Sequence, residues 1–178
     1  MYTILKEKPA PHWGFYGYLI RGLGTSLFYY IPLTLLGLEP FPPSYLTFLS
    51  TDSYYKMLVV LFPIVNLAIW LLCGALTHTI LRFIEQPNNI DQILNISGIT
   101  WLVFGPIIVG FDWFVRLTLG ELNAYIWGLS HLIIDVGYLY FMIIGYKKIL
   151  ELPPRLTFCL FLLNMAASVP IAMLLLRG

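Results

Sequence analysis

The sequence predicts an all-α fold: a polytopic membrane bundle of five transmembrane helices that forms one domain over residues 1–178. Three observations support this prediction. Hydrophobic residues make up 59% of the chain and charged residues only 11%, whereas an ordinary soluble domain carries about 25% charged residues. The mean hydropathy is +0.81. Long apolar runs recur, and lipid leaves backbone hydrogen bonds to be satisfied within the segment, so these runs are expected to be helices.

The N-terminal segment 1–22 is expected to lie at the membrane interface. Its part 13–20 reads WGFYGYLI, and Trp and Tyr are typical of the headgroup level. The first helix is expected over about 23–38, kinked or tilted because it contains Pro32 and two glycines. Arg21 precedes it and is expected to snorkel towards the interface. A re-entrant or interfacial segment is the alternative, and it would remove one crossing.

Four longer apolar runs predict the remaining helices. Between the first two helices a proline-rich stretch, residues 39–56, is expected to form an ordered external loop. Asp91 is the expected N-cap of the third helix. The predicted helices cover about 57–81, 96–115, 122–146 and 156–176.

The distribution of Lys and Arg predicts the orientation. With five crossings, seven of these residues fall on one side of the membrane and three on the other. The richer side is expected to be cytoplasmic, which places the N-terminus inside and the C-terminus outside a prokaryotic inner or plasma membrane. The two groups are Lys6, Lys8, Arg21, Arg82, Lys147, Lys148 and Arg155 against Lys56, Arg116 and Arg177.

Four ionisable residues in the predicted spans form the candidate site. Asp112 and Arg116 are spaced to share one face of the third helix, and His131 and Asp135 repeat that spacing in the fourth. Because charges inside a membrane are costly, we expect these four residues to converge in one buried polar cluster. A structural network that fixes helix register is the favoured interpretation, and a proton relay or cation site is the alternative.

Several classes of function are not expected. A net charge of +1 without a basic patch argues against nucleic acid as a partner. Cys73 and Cys159 lack the spacing of metal ligands, and His78 and His131 lie at different depths, which disfavours a haem. No nucleophile with an oriented base is recognisable, so no enzymatic activity and no cofactor are expected. The polar residues expected to bond between helices are Asn66, Asn95, Asn164, Thr77, Thr79, Ser97, Ser130 and Ser168.

Two segments carry a resemblance to a known family. Residues 42–82 read PPSYLTFLSTDSYYKMLVVLFPIVNLAIWLLCGALTHTILR, and residues 127–177 read WGLSHLIIDVGYLYFMIIGYKKILELPPRLTFCLFLLNMAASVPIAMLLLR. Both resemble the prokaryotic branch of the Yip1 domain family. The resemblance implies five transmembrane helices, a cytoplasmic N-terminus and no established enzymatic activity. The Asp-Leu-Tyr-Gly-Pro-Leu-Trp stretch of eukaryotic members is missing, so the resemblance does not carry their binding of small GTPases to this chain.

These features lead to one expected function and one alternative. The chain is expected to be a structural, lipid-organising or partner-binding membrane subunit, with membrane lipids as partners and with other membrane subunits or a second copy of itself as further candidates. The alternative is a small transporter or channel subunit that uses the buried polar cluster.

Overall fold

The computed structural model describes residues 12–38, 51–86, 88–119 and 124–176, which form five helices and no strand. The side chains of 51–52, 119, 124–132, 135, 169 and 172–176 lie outside this description. Helix α1 covers 12–35 and consists of an α-helical part His12–Thr25, a π-helical turn Ser26–Tyr30 and a second α-helical part Ile31–Leu35. It is followed by α2 Thr51–Phe83, α3 Ile90–Leu119, α4 Ala124–Ile149 and α5 Pro154–Leu176. The predicted all-α class is confirmed.

Helix α1 begins earlier than predicted. It starts at His12, whereas the sequence suggested an interfacial segment up to residue 22 and a helix from 23. The reason is the packing of its glycines: a Cβ at Gly14 would lie 2.3 Å from the backbone oxygen of Leu94, and one at Gly17 would lie 2.6 Å from that of Gly98. Backbones can approach this closely only where side chains are absent. The first part of α1 is therefore a packed helix of the bundle.

The predicted external loop 39–56 is shorter than expected. Its last residues, from Thr51 onwards, belong to helix α2, because the run of prolines that excludes a helix ends well before this point. The part 39–50 lies outside the described residues.

The start of α3 also differs from the prediction. Asn89, and not Asp91, is the capping residue, because its Oδ1 accepts hydrogen bonds from the backbone N–H groups of Asp91 at 2.9 Å and Gln92 at 3.3 Å. An N-cap side chain satisfies donors that have no partner within the helix. The helix consequently begins at Ile90 and not at about 96.

Helices α1 and α3 run parallel and pack together along their length. The contacts advance in step: Gly14 and Gly17 lie against Gly98, and further along Phe28 accepts a hydrogen bond from Trp113. Asn95 Oδ1 also accepts a hydrogen bond from the N–H of Gly14 at 2.6 Å. This bond ties the beginning of the described part of α1 to α3.

Helix α2 runs antiparallel to both partners. Its Trp70 donates from Nε1 to the backbone oxygen of Leu94 at 3.0 Å and to Ser97 Oγ at 3.1 Å. At the other end of the bundle, Ser26 Oγ donates to the backbone oxygen of Val59 at 2.7 Å. These polar contacts fix α2 against α1 and α3 at two separate levels.

Helices α4 and α5 complete the bundle. Phe104 of α3 packs beside Gly137 and edge-to-face against Tyr138 of α4, and Asn164 of α5 donates from Nδ2 to Thr77 Oγ1 of α2 at 2.8 Å. A buried apolar cluster joins α2, α3, α4 and α5 at the end where α2 finishes. Its members are Leu81, Ile93, Ile96, Met142, Tyr146, Ile149, Leu150, Leu152 and Leu160.

Two helices of the described chain are long and apolar enough to cross a membrane. They are the stretches Ser53–Phe83 and Ile90–Thr118. Within their most apolar 18-residue windows, only 33% and 44% of the residues are buried inside the protein. The core helix of a soluble protein is mostly buried, so these two helices differ from that pattern.

Candidate functional site

The π-helical turn of α1 shapes the interior of the bundle. A π turn adds one residue to the helical repeat and is frequent at functional sites. In this turn the consecutive residues Tyr29 and Tyr30 are both buried, although neighbours in an α-helix point about 100° apart. Tyr29 meets the Trp113 ring of α3 at 5.8 Å, and Tyr30 meets the Phe62 ring of α2 at 5.2 Å. One turn thus directs two phenols towards two different helices.

Arg116 of α3 contacts tyrosine side chains of the neighbouring helices. Its Nη2 donates to the hydroxyl oxygen of Tyr55 at 2.5 Å, and its guanidinium carbon lies 5.7 Å from the centre of the Tyr55 ring. Arg116 also interacts electrostatically with Tyr29 of α1. A cation over an aromatic face is stabilised by the negative potential of the ring. Arg116 therefore connects α1, α2 and α3.

Asp112 supplies the negative charge of the same region. Its side chain is 7% exposed and interacts electrostatically with Arg21, Tyr29 and Tyr30. A buried carboxylate is tolerated where cations and hydrogen-bond donors surround it. We refer to this group of side chains as the interior polar cluster: Arg21, Tyr29, Tyr30, Tyr55, Asp112 and Arg116.

Arg21 lies in the middle of the bundle. Its side chain is 5% exposed and packs against α3 at Gly105, where an added Cβ would collide with Arg21 Cδ. Its guanidinium carbon is 5.5 Å from the centre of the Trp101 ring. The expectation that Arg21 snorkels to the interface is wrong, because the absence of a side chain at Gly105 provides an interior position for it. Arg21 consequently does not count as a flanking charge.

The predicted four-residue site stays a prediction, although two of its members can be located. The structure places Asp112 in the interior and Arg116 half-buried beside it. The side chains of His131 and Asp135 lie outside the described residues, so their place in a common cluster stays a prediction.

Arg21 and the tyrosines of α1 and α2 were not predicted as site residues. A signal was present in the pair Tyr29-Tyr30 shortly before Pro32, since a proline removes a helical hydrogen bond and favours an irregular turn.

The polar residues expected to bond between helices fall into two groups. Those that do bond between helices are Asn95, Asn164, Thr77 and Ser97, as described above. Ser168 of α5 interacts with Cys73 of α2, and its bonding stays a prediction. Asn66 and Thr79 instead donate to carbonyls of their own helix, those of Phe62 and Ala75. Side chains of this type often satisfy themselves on the preceding turn, so residue type alone does not distinguish the two outcomes. The side chain of Ser130 lies outside the described residues.

The arrangement supports the binding of charge. The described residues of the interior polar cluster include two arginines and one carboxylate, so they carry an excess positive charge inside a largely apolar bundle. Among the described residues, no three His, Cys, Asp or Glu side chains are grouped so that they could hold a metal ion. The chain matches no protein family, no curated protein and no solved structure.

Proposed function

We propose that this chain is an integral membrane protein that crosses the bilayer five times and acts without catalysis, by binding lipids or other membrane subunits. The observation that carries the proposal is the apolar outer surface of α2 and α3, whose most apolar windows are only 33% and 44% buried. Water is a poor solvent for so much apolar helix surface. Lipid tails or the helices of a partner would cover this apolar surface without the free-energy cost of exposing it to water.

Large apolar side chains on the outer surface extend the argument to all five helices. Each of these side chains exposes more than a third of its area to the surroundings. Monomeric soluble proteins rarely expose large contiguous apolar patches. Examples are Phe28 and Leu35 of α1, Ile64 and Leu71 of α2, Ile107 and Phe114 of α3, Ile133 and Tyr140 of α4, and Phe158 and Leu162 of α5.

The proposed orientation places the N-terminus in the cytoplasm. Without Arg21, the described cations at the end of the bundle where α2 and α4 finish are Arg82, Lys147, Lys148 and Arg155, whereas Lys56 and Arg116 lie at the opposite end. Arg116 is in addition held by Tyr55. The positive-inside rule favours the richer end as cytoplasmic. Membership of the Yip1 domain family, which the sequence resembles, is part of the same proposal.

Single-cysteine labelling tests the topology. Cys73 and Cys159 are replaced by alanine, and one cysteine is introduced at Lys148 or, as the matched variant, at Lys56; both lysines are exposed. In intact cells a membrane-impermeant maleimide is expected to label Lys56→Cys only, and Lys148→Cys only after permeabilisation. If both cysteines were labelled in intact cells, the two positions would lie on the same side of the membrane, which would contradict the proposed topology. The reverse pattern would contradict the orientation.

The binding role has its own experiment. The protein is extracted from its membrane in mild detergent and its mass is measured in the intact state. The proposal expects retained phospholipid, a second copy or another membrane subunit. A monomer without lipid would contradict it.

The interior polar cluster favours a small transporter or channel subunit as the second candidate. A carboxylate that is 7% exposed and accompanied by two arginines resembles the intramembrane charges that mark ion and proton pathways. Liposomes that contain the protein are assayed for proton and cation flux with the native chain, Asp112→Asn and Asp135→Asn. Flux that either variant reduces at least about tenfold would support this candidate, and no flux from the native chain would eliminate it.

A further inference from the structure

The region around Arg21 holds two buried donors that lack acceptors. Arg21 Nε and Trp101 Nε1 are both buried and, among the described residues, neither has a hydrogen-bond partner. The two side chains are neighbours, because the guanidinium carbon of Arg21 lies 5.5 Å from the centre of the Trp101 ring. A single unsatisfied buried donor is already uncommon in proteins. Two adjacent ones, one of them on a charged group, indicate that an acceptor belongs between them.

The local charge points to a negative acceptor. Among the described residues of the interior polar cluster, Arg21 and Arg116 carry two positive charges and Asp112 one negative charge. Arg116 is engaged by the hydroxyl of Tyr55 at 2.5 Å, whereas Arg21 interacts with Asp112 and with Tyr18 and Tyr30 through longer-range electrostatics. Arg21 therefore carries a charge in the bundle interior, and within the described part of the chain it makes no direct ionic contact. An anion beside it would lower the large free-energy cost of that burial.

Aromatic rings form the sides of the site, and the backbone of a glycine lies beneath it. Tyr18 stacks on Trp101 with ring centres 6.0 Å apart and an interplanar angle of 19°, and Trp101 meets Tyr138 edge-to-face at 5.5 Å. Gly105 forms the floor under Arg21, where any side chain would collide with Arg21 Cδ. This arrangement fixes the guanidinium in place before a ligand arrives, and pre-organisation of this kind reduces the cost of binding.

We propose that Arg21 and Trp101 form a binding site for a carboxylate between α1 and α3. A planar guanidinium fork matches the two oxygens of a carboxylate better than it matches a spherical halide. The aromatic walls suit a carboxylate that carries an apolar body. Two sources offer this chemistry, a fatty acid from the membrane and a small carboxylic acid from water.

The test uses the full-length protein in detergent at constant ionic strength. Sodium chloride is replaced stepwise by sodium acetate or by sodium hexanoate, and the melting temperature and the intrinsic tryptophan fluorescence are recorded. Both should change saturably, because a ligand that binds only the folded state stabilises it. Tighter binding of hexanoate would assign a membrane-derived carboxylate, and equal binding of the two would assign a water-borne one. The absence of a saturable change with either probe would overturn the proposal.

Variants separate a built site from a general salt effect. Arg21→Gln is expected to weaken binding at least about tenfold, and Arg21→Lys and Trp101→Phe less, since each removes only part of the donor set. Lys56→Gln, which removes an exposed cation on α2, should bind as the native chain does. Gly105→Ala provides an independent variant that leaves both donors in the sequence but pushes Arg21 from its position, and it should also weaken binding. An equal response in Arg21→Gln and the native chain would overturn the proposal.

One further variant addresses an internal acceptor. Asp135 was predicted from the sequence to belong to the same polar region. If its carboxylate satisfied Arg21, acetate would bind only after Asp135→Asn. A saturable response confined to that variant would overturn the proposal, and a response of the native chain that Asp135→Asn leaves within about twofold would support it.

Discussion

The indole Nε1 of Trp113 donates a hydrogen bond to the backbone oxygen of Phe28 at 2.8 Å. That oxygen would ordinarily accept from the residue four positions later, but this residue is Pro32, which has no N–H. A side chain of α3 thus donates to a carbonyl that cannot form the usual α-helical bond to position 32. The irregular turn of α1 is stabilised by its neighbour and not by its own backbone alone.

The dependence of Trp113 on Pro32 is testable by a double-mutant cycle. Trp113→Phe should destabilise the native protein by about 1–2 kcal/mol, because the Phe28 carbonyl loses its donor in apolar surroundings. In a Pro32→Ala background the loss should be smaller by about 1 kcal/mol, since the introduced alanine supplies a backbone N–H. Unfolding monitored by circular dichroism in mixed micelles measures both values, with Trp13→Phe at a half-exposed position as the control. Equal losses in the two backgrounds would contradict the relationship.

The glycine contact between α1 and α3 predicts a strong response to a single methyl group. A Cβ at Gly98 would lie 2.3 Å from the carbonyl oxygen of Gly14, so the two backbones must separate in Gly98→Ala. We expect a loss of about 1–3 kcal/mol of stability, measured by unfolding in mixed micelles. Gly110→Ala is the matched control on the same helix, since nothing lies within 4 Å of its Cβ. It should leave stability unchanged or raise it slightly, as alanine favours helices.

The bond from Gly14 to Asn95 predicts that α1 depends on a side chain of α3. Asn95 is 1% exposed, and its Oδ1 accepts from the Gly14 N–H at 2.6 Å. Asn95→Ala should cost about 1–2 kcal/mol and should raise amide hydrogen exchange in the first turns of α1 before it affects α5. Thr79→Ala, at an exposed position, is the control. Unchanged exchange at Gly14 would show that this bond does not hold the start of α1.

The contact between Asn164 and Thr77 predicts measurable coupling between α2 and α5. The two side chains share a 2.8 Å hydrogen bond. Interhelical bonds of this type contribute about 0.6 kcal/mol on average in membrane proteins, with a maximum of about 1.7 kcal/mol. A cycle of Thr77→Ala, Asn164→Ala and the double variant should give a coupling energy in this range. The same cycle with Thr79 in place of Thr77 should give a value near zero.

The exposed thiol of Cys159 tests whether lipid surrounds α5. Cys159 lies on the outer surface of the protein, about one and a half turns into α5. In native membranes a hydrophilic maleimide should therefore react with it at least about tenfold more slowly than after denaturation in detergent. The matched comparison is Lys148→Cys in a background without Cys159, at an exposed position in the last turn of α4. Equally fast labelling of both thiols in open membranes would contradict lipid contact.

The sequence predicted the helical class and the approximate place of α2 to α5, because long apolar runs have few other solutions. The start of α1 was not predictable in the same way. The stretch WGFYGYLI satisfies the composition of an interfacial segment, and only the partner backbone at Gly98 shows that Gly14 and Gly17 are packing positions. A single sequence does not contain that pairing.

The candidate site was predicted from one helix at a time. Asp112, which the sequence placed in a polar cluster with Arg116, His131 and Asp135, is buried in the structure, but the convergence of the four stays a prediction. Arg21 was assigned to the interface because long cations commonly reach out of the membrane. Its true position depends on the space above Gly105 and on the Trp101 ring, both of which come from another helix.

The pairing of α1 with α3 has a consequence for synthesis. Gly14 and its acceptor Asn95 are separated by 81 residues, so the ribosome must translate that length before the acceptor exists. At about 5–20 residues per second this takes roughly 4–16 s. During that interval the nascent first helix carries Arg21 and its exposed glycine face without their permanent neighbours. Truncations that end before residue 95 are consequently expected to be degraded, because they lack the acceptor of the Gly14 N–H.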